Sequence, residues 1–334
     1  MSQVESTSSH SSCALQLLLL CALALAVVLL AVSVGSVSLP LHGIVSTLFS
    51  NHAAVSLQQD ILFSLRLPRA LNAFALGGLL ALSGIYMQAL LRNPLADPFV
   101  IGTSGGAAVA ALLAMLLGLG TIAIHSFSII GAFSATLLVF ALAHAEGSWS
   151  PTRLLLTGVI VAAGTGAMVT LLLALGDESH LRGMLFWLMG EVGTQSPTPL
   201  WLLLIASTAC SWLLARHLNL LARGEVQAQA LGMNIKRLRI GLFVFSAVLT
   251  ASVVTSAGTI GFIGLITPHL ARLMLGADHR RIVPASVLIG GCLLTLADTA
   301  ARTLFAPRQL PVGALTALIG VPVFLSLMFA KRRY

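Results

Sequence analysis

A chain of 334 residues with 57% hydrophobic and only 8% charged side chains cannot clothe a water-soluble domain of that size, where about a quarter of residues are charged. The net charge of +8 does not signal nucleic acid, because the basic residues are scattered between apolar runs and form no stripe interleaved with aromatics. These facts leave an all-α transmembrane chain whose solvent is lipid.

Residues 1–13, rich in Ser, read as a disordered cytoplasmic tail, and residues 14–334 as a single transmembrane domain. The first apolar run, 14–34, outlasts the apolar stretch of a signal peptide. It has no Lys or Arg before it and ends at no clear small-x-small site, so it is expected to stay as the first span. Further spans are expected near 70–91, 101–118, 126–144, 153–175, 198–215, 238–257, 259–275, 282–302 and 312–330. Pro268 interrupts the eighth and Pro284 the ninth.

An even number of spans, about ten, puts both termini on one side, and the Lys331-Arg332-Arg333 cluster makes that side cytoplasmic. Of the 18 Lys and Arg residues this topology sends most to the cytoplasmic ends, among them Arg92, Arg153, Arg216, Lys236, Arg272 and Arg280. Only Arg66, Arg69, Arg182, Arg302 and Arg308 fall on the opposite side. Glycines and serines crowd several spans (Gly77-Gly78, Ser83-Gly84, Gly102 to Gly106, Gly258 to Gly264), which suits close packing or helices that shift against each other. Cys13, Cys21, Cys210 and Cys292 lie far apart, mostly in apolar runs, and read as small buried hydrophobes.

No carboxylate or Lys lies deep in an expected span. Asp298 sits near a helix end, four residues before Arg302, as an (i, i+4) ion pair. An ion-coupled secondary carrier, the main alternative, normally keeps an intramembrane ionisable group for coupling. The energy source is therefore external, yet the chain holds no phosphate loop of its own: Lys236 follows Ile and Lys331 follows Ala, where a Gly is required. A membrane-embedded enzyme would need convergent nucleophile, base or metal ligands, and the spans hold none.

Between the sixth and seventh spans, about 216–239, a polar stretch containing LLARGEVQAQALGMNIKRLR reads as one or two short amphipathic helices, divided at Gly224 and at Gly232-Met233. Such helices either lie solvated or insert one face into a partner. In RNPLADP, after the second span, Pro94 and Pro98 break the helix and Asp97 is placed to cap the next one.

The segments RLPRALNAFALGGLLALSGIYMQALLRNPLADPFVIGTSGGAA, ARGEVQAQALGMN, GTIGFIGLITPHLARLMLGADHRRIVPAS, ADTAARTL and LPVGALTALIGVPVFL closely resemble the FecCD-type permease family of ABC importers, over roughly residues 60–334. That family carries iron–siderophores, haem and vitamin B12. The resemblance implies a vitamin B12 permease-like bundle of ten helices in the bacterial inner membrane. It further implies a homodimer with a central pathway, two ABC ATPase subunits beneath it and a periplasmic binding protein above. This chain would bind no cofactor; ATP and Mg belong to the ATPase. By the same resemblance Arg66, Arg69 and Arg302 grip the binding protein, and Arg223, Gly224, Glu225, Ala228, Leu231 and Gly232 form the coupling helix in the ATPase cleft. Asn93 and Leu95 would narrow the cytoplasmic exit, with Pro151 and Thr152 opposite them.

The nine histidines show no (i, i+4) pairing or Cys/His clustering. His42, His52, His125 and His180 fall on the presumed periplasmic side, while His269 and His279 are expected to hydrogen-bond locally at helix ends. Scattered ligands disfavour bare zinc or manganese as cargo. A large preformed chelate, recognised mainly by the binding protein, remains.

Overall fold

The computed structural model describes residues 2–35, 57–144 and 150–330, so the Lys331-Arg332-Arg333 cluster, His42 and His52 lie outside the described residues. Among the described residues the regular structure is helical throughout. The long or apolar helices are α1 (Ser2–Ser33), α2 (Leu67–Leu91), α3 (Thr103–Leu116), α4 (Thr121–His144), α5 (Pro151–Leu175), α7 (Thr198–Arg223), α9 (Ile235–Ala257), α10 (Ile263–Leu275), α11 (His279–Thr303) and α12 (Val312–Ala330). Between them sit two short helices, α6 (Glu178–Met189) and α8 (Glu225–Ala230). Seven helical segments are long and apolar enough to cross a membrane; α3, α10 and the apolar part of α12 are shorter and fall where the third, eighth and tenth spans were expected.

Several expectations need correction. The Ser-rich leader is not irregular: α1 runs back to Ser2, because extending an existing helix needs only one residue fixed per hydrogen bond gained. α2 is preceded without a break by a π-helical turn, Ile61–Arg66, so Arg66 and Arg69 sit within one helical segment starting before the expected span. α6 was missed altogether, although Asp177 precedes it and Glu178 lies in its first turn, favourable against the helix dipole. α7 continues to Arg223, absorbing residues expected in the polar loop. Of the cysteines, Cys292 is buried but Cys21 lies on the exposed outer side of α1.

α2 is the axis of the bundle. Its apolar window is 94% buried, and α11, α9, α10 and α7 pack around it. The packing depends on missing side chains: a Cβ at Gly77 would overlap the Gly290 carbonyl of α11, and one at Gly84 would overlap the Gly264 carbonyl of α10. Helices in lipid have no hydrophobic force between them, so such backbone contact supplies the van der Waals attraction. Polar side chains add cross-links. Ser83 Oγ lies 2.7 Å from both Ser246 Oγ and Thr250 Oγ1 of α9, and Tyr86 Oη lies 2.5 Å from Ser211 Oγ of α7. α5 is the opposite case, with only 11% of its window buried and an outer surface of exposed apolar side chains such as Leu156 and Ile160.

The ends of α2 gather the charge. Its first turn meets the C-terminal ends of α1 and α11; its last meets α8 and the adjoining ends of α9 and α10. Arg69 and Arg92 are about 34 Å apart along the helix at 1.5 Å per residue, close to the hydrocarbon thickness of a bilayer.

Candidate functional site

At the first end, Arg66, Arg69 and Arg302 line one cavity of about 430 Å³ together with Thr194 and Gln309. The three arginines named from the sequence are thus brought together, but none is a bare surface charge. Asp298, 1% exposed, accepts hydrogen bonds from Arg69 Nε at 3.1 Å, Arg69 Nη2 at 3.0 Å and Arg302 Nε at 3.1 Å. The expected Asp298–Arg302 pair exists, but the carboxylate is buried and shared with a second arginine from α2. Arg69 also donates to Gln309 Oε1 at 3.3 Å and lies 3.8 Å from the exposed Glu191 carboxylate.

Arg66 and Arg302 have a further task. The last carbonyls of a helix lack intrahelical partners and carry partial negative charge. Arg66 donates to the Val32 and Ser33 carbonyls at 3.2 and 3.0 Å, and Arg302 to the Ala31 carbonyl at 3.3 Å. Two guanidiniums therefore close the C-terminus of α1 while facing the cavity. Asn72 holds the neighbouring loop in place by donating to the Gly193 and Gln195 carbonyls. Three arginines and one buried carboxylate leave the cavity with excess positive charge.

At the other end α2 stops at Arg92, which takes the left-handed conformation (φ 49°). Asn93 Oδ1 then accepts from the Leu95 N–H at 2.9 Å, and Asp97 Oδ1 from the Phe99 N–H at 2.8 Å, capping a short 3₁₀ helix, Pro98–Ile101. The expected cap is observed. Burial lifts the Asp97 carboxyl from the ordinary 3.8 to about 6, against the opposing pull of the Phe99 hydrogen bond. Leu95 is exposed, and Pro151 and Thr152 open α5, whose start Ser150 caps by accepting from the Arg153 N–H. Gly158 of α5 lies against the Val100 carbonyl, so the 3₁₀ helix leans on α5 two turns from Pro151.

The polar stretch after α7 breaks where its glycines lie. Gly224 (φ 126°) separates α7 from α8, and Gly232 (φ 80°) separates α8 from the start of α9, which Asn234 caps. Ala228 is fully buried beneath α8, whereas Val226 and Leu231 stand out at 80% and 70% exposure. Arg223 is exposed beside them. Glu225 is not free: it pairs with Arg92 and with Arg239. One carboxylate thus joins α8, the end of α2 and the start of α9, a connection the sequence did not reveal because the three residues are far apart in the chain.

Pro268 explains a second link. A proline lacks the N–H that would bond the carbonyl four residues back. The orphaned Gly264 carbonyl, with that of Leu265, accepts from Gln88 Nε2 at 3.5 and 3.1 Å, and Gln88 Oε1 accepts from Arg272. His279 does not bond locally as expected; its Nδ1 lies 2.7 Å from Asn219 Oδ1 of α7. His125 Nδ1 lies 2.8 Å from the Thr255 carbonyl. Among the described residues no three His, Cys, Asp or Glu side chains group as metal ligands.

The model of the FecCD transport family matches residues 23–330. The hemin transport system permease protein HmuU of Yersinia pestis is 41% identical over 280 residues, covering 81% of this chain and 84% of that one. The molybdate import system permease protein MolB of Haemophilus influenzae is 35% identical over 311 residues, covering 91% and 92%. A solved structure of an inward-facing ABC transporter, assigned to the metal-chelate type, aligns with a TM-score of 0.83 at 33% identity, over 94% of this chain and 98% of that one.

Proposed function

The chain belongs to the FecCD transport family, and from that premise we propose that it is the membrane-spanning permease subunit of an ATP-driven importer for a metal chelate. The working unit is a homodimer of ten-span subunits in the bacterial inner membrane, with both termini cytoplasmic. Two separate ATPase subunits supply ATP and Mg chemistry, and a periplasmic binding protein delivers the cargo. The permease itself performs no covalent step.

The observation that carries this reading is the sharing of Glu225 between Arg92 and Arg239. A push on α8 from an ATPase subunit reaches the Asn93–Leu95 turn and α9 through that carboxylate. Val226 and Leu231 are the side chains left outside for a partner's cleft, while Ala228 seats the helix. At the opposite end the arginine-lined cavity offers positive charge to acidic side chains of a binding protein, which would steer docking and register. The weakly buried face of α5, where Gly164 and Gly166 have open space around them, is available to a second copy and to the pathway between copies.

An ion-coupled carrier is less consistent with Asp298, the buried carboxylate of α11, because two guanidiniums already hold it. The relatives name haemin, molybdate and a metal chelate, so the cargo test must include an oxyanion. Uptake of labelled haemin, ferric siderophore, cobalamin and molybdate in cells with and without the gene decides it. Loss of one chelate supports the proposal. Loss of molybdate alone, or loss of none, contradicts the assignment of a chelate cargo.

A further inference from the structure

Beside the coupling helix, on the outer side of α7 and α9, runs a groove of about 520 Å³. Its polarity is sorted along its length. At one end are His217, Asn234 and Arg237, all exposed, with exposed Arg216 and Lys236 as their chain neighbours. At the other end are Leu214, Leu242 and Phe245. From Asn234 to Phe245 is eleven residues, or about 16 Å along α9 at 1.5 Å per residue. No acidic side chain lines the groove, and Glu225 of the nearby α8 is engaged by Arg92 and Arg239.

The positive end is reinforced by the backbone. α9 begins at Ile235 with Asn234 Oδ1 accepting from the Arg237 N–H, so the partial positive charge of this helix terminus falls at the groove's mouth. The floor is Gly241, where an added Cβ would meet nothing within 4 Å. The helix surface is bare there, and the groove stays open above it between α7 and α9.

We propose that this groove binds an anionic phospholipid, its phosphate held by Arg237 and His217 and one acyl chain lying over Gly241 toward Phe245. Basic mouths between transmembrane helices recognise lipid headgroups by charge, and the apolar depth takes the chain. A free anion would use only the mouth. A water-soluble subunit would reach Leu231 but not the deep apolar end. The lipid holds the α8–α9 turn, Leu231 to Asn234, against α7 and so sets the position of the segment that would meet the ATPase; the binding site itself does not depend on the transport reading.

The test uses the full-length protein purified in detergent, with dioleoyl-phosphatidylglycerol, dioleoyl-phosphatidylcholine or inorganic phosphate added. Phosphatidylglycerol is expected to raise the unfolding midpoint by roughly 3 °C more than phosphatidylcholine, and to be retained in native mass spectra. The His217→Gln/Arg237→Gln double variant loses that difference. Gly241→Ala, whose Cβ meets open space, keeps the lipid-free fold, and Gly241→Leu, which fills the floor, loses phosphatidylglycerol retention. Equal effects of the two lipids on the wild type, or an undiminished difference in the double variant, overturn the proposal. So does stabilisation by phosphate alone equal to that by phosphatidylglycerol, which would mark an anion site without lipid. Displacement of bound phosphatidylglycerol by the ATPase subunit would assign the groove to that subunit instead.

Discussion

Arg69 meets Asp298 side-on, with Nε 3.1 Å and Nη2 3.0 Å from the same carboxylate oxygen, and this contact locks the start of α2 to the end of α11. Removing the carboxylate leaves two largely buried guanidiniums opposed, whereas removing Arg302 leaves Asp298 with its Arg69 partner. Asp298→Ala should therefore destabilise the permease by about 3–5 kcal/mol, the usual scale for breaking a buried pair. Arg302→Gln should cost less. Thermal unfolding of both variants in detergent checks the order; an Asp298→Ala midpoint equal to wild type would show that the triad is not structural.

The same cluster is the proposed docking surface. If Arg66, Arg69 and Arg302 attract acidic residues of a binding protein, association should slow as salt rises from 50 to 500 mM, since charge steering is screened within about a Debye length. Glu191→Lys, at the exposed edge of the cluster, removes a competing carboxylate and should speed association at low salt. Stopped-flow association rates with the purified binding protein decide this, and salt-independent rates would place the docking surface elsewhere.

Glu225→Gln should separate assembly from coupling. Ala228 still seats α8, so the proposed binding of ATPase subunits should persist, but the ion link from α8 to Arg92 and Arg239 is lost. Chelate-stimulated ATP hydrolysis should fall several-fold while basal hydrolysis stays. A double-mutant cycle with Arg239→Gln should give an interaction of about 1 kcal/mol in stability, within the range for contacting residues. Strict additivity would mean the pair carries nothing.

Glycine positions divide by what surrounds them. Gly84→Ala puts a methyl group into the Gly264 carbonyl and forces α2 from α10, at a cost of about 1–3 kcal/mol or more for an overpacked core. Gly183→Ala meets nothing within 4 Å on the exposed side of α6 and should be neutral or mildly stabilising through helix propensity. Yields of monodisperse protein and unfolding midpoints measure both. Similar losses at the two positions would contradict the packing described for α2.

Asp97 supplies a pH dependence. Its carboxyl titrates at about 6 when folded, above the ordinary 3.8, so between those values the folded chain keeps a proton that the unfolded chain has released. Stability should thus fall as pH rises from about 4 to about 6 and level off above. Asp97→Asn keeps the cap on Phe99 and should flatten that stretch of the profile. A wild-type profile already flat there would show that the Asp97 carboxyl is not lifted in the folded chain.

Hydropathy carries most of the fold, because lipid forces long apolar runs into helices and small-residue pairs mark where they touch. Breaks at Gly224 and Gly232 and the Asp97 cap were legible for the same local reason: each depends on a residue's own backbone or its neighbour two positions on. What composition and periodicity hid was pairing across the chain. Asp298 reads as a helix-end residue paired with Arg302 alone, and nothing in the polar stretch places Arg92 and Arg239 beside Glu225. α6 was missed because a 12-residue amphipathic helix is too short to stand out beside runs of twice its length.

ATP hydrolysis by a partner is proposed to drive a chelate through this chain. The direct measurement is uptake of haemin, ferric siderophore and cobalamin into proteoliposomes holding the permease with its ATPase and binding protein, with ATP present, with ATP absent, and with an imposed proton or sodium gradient alone. One chelate should accumulate only with ATP, and omitting the binding protein should abolish it. Accumulation driven by an ion gradient without ATP would contradict it and make the chain a secondary carrier.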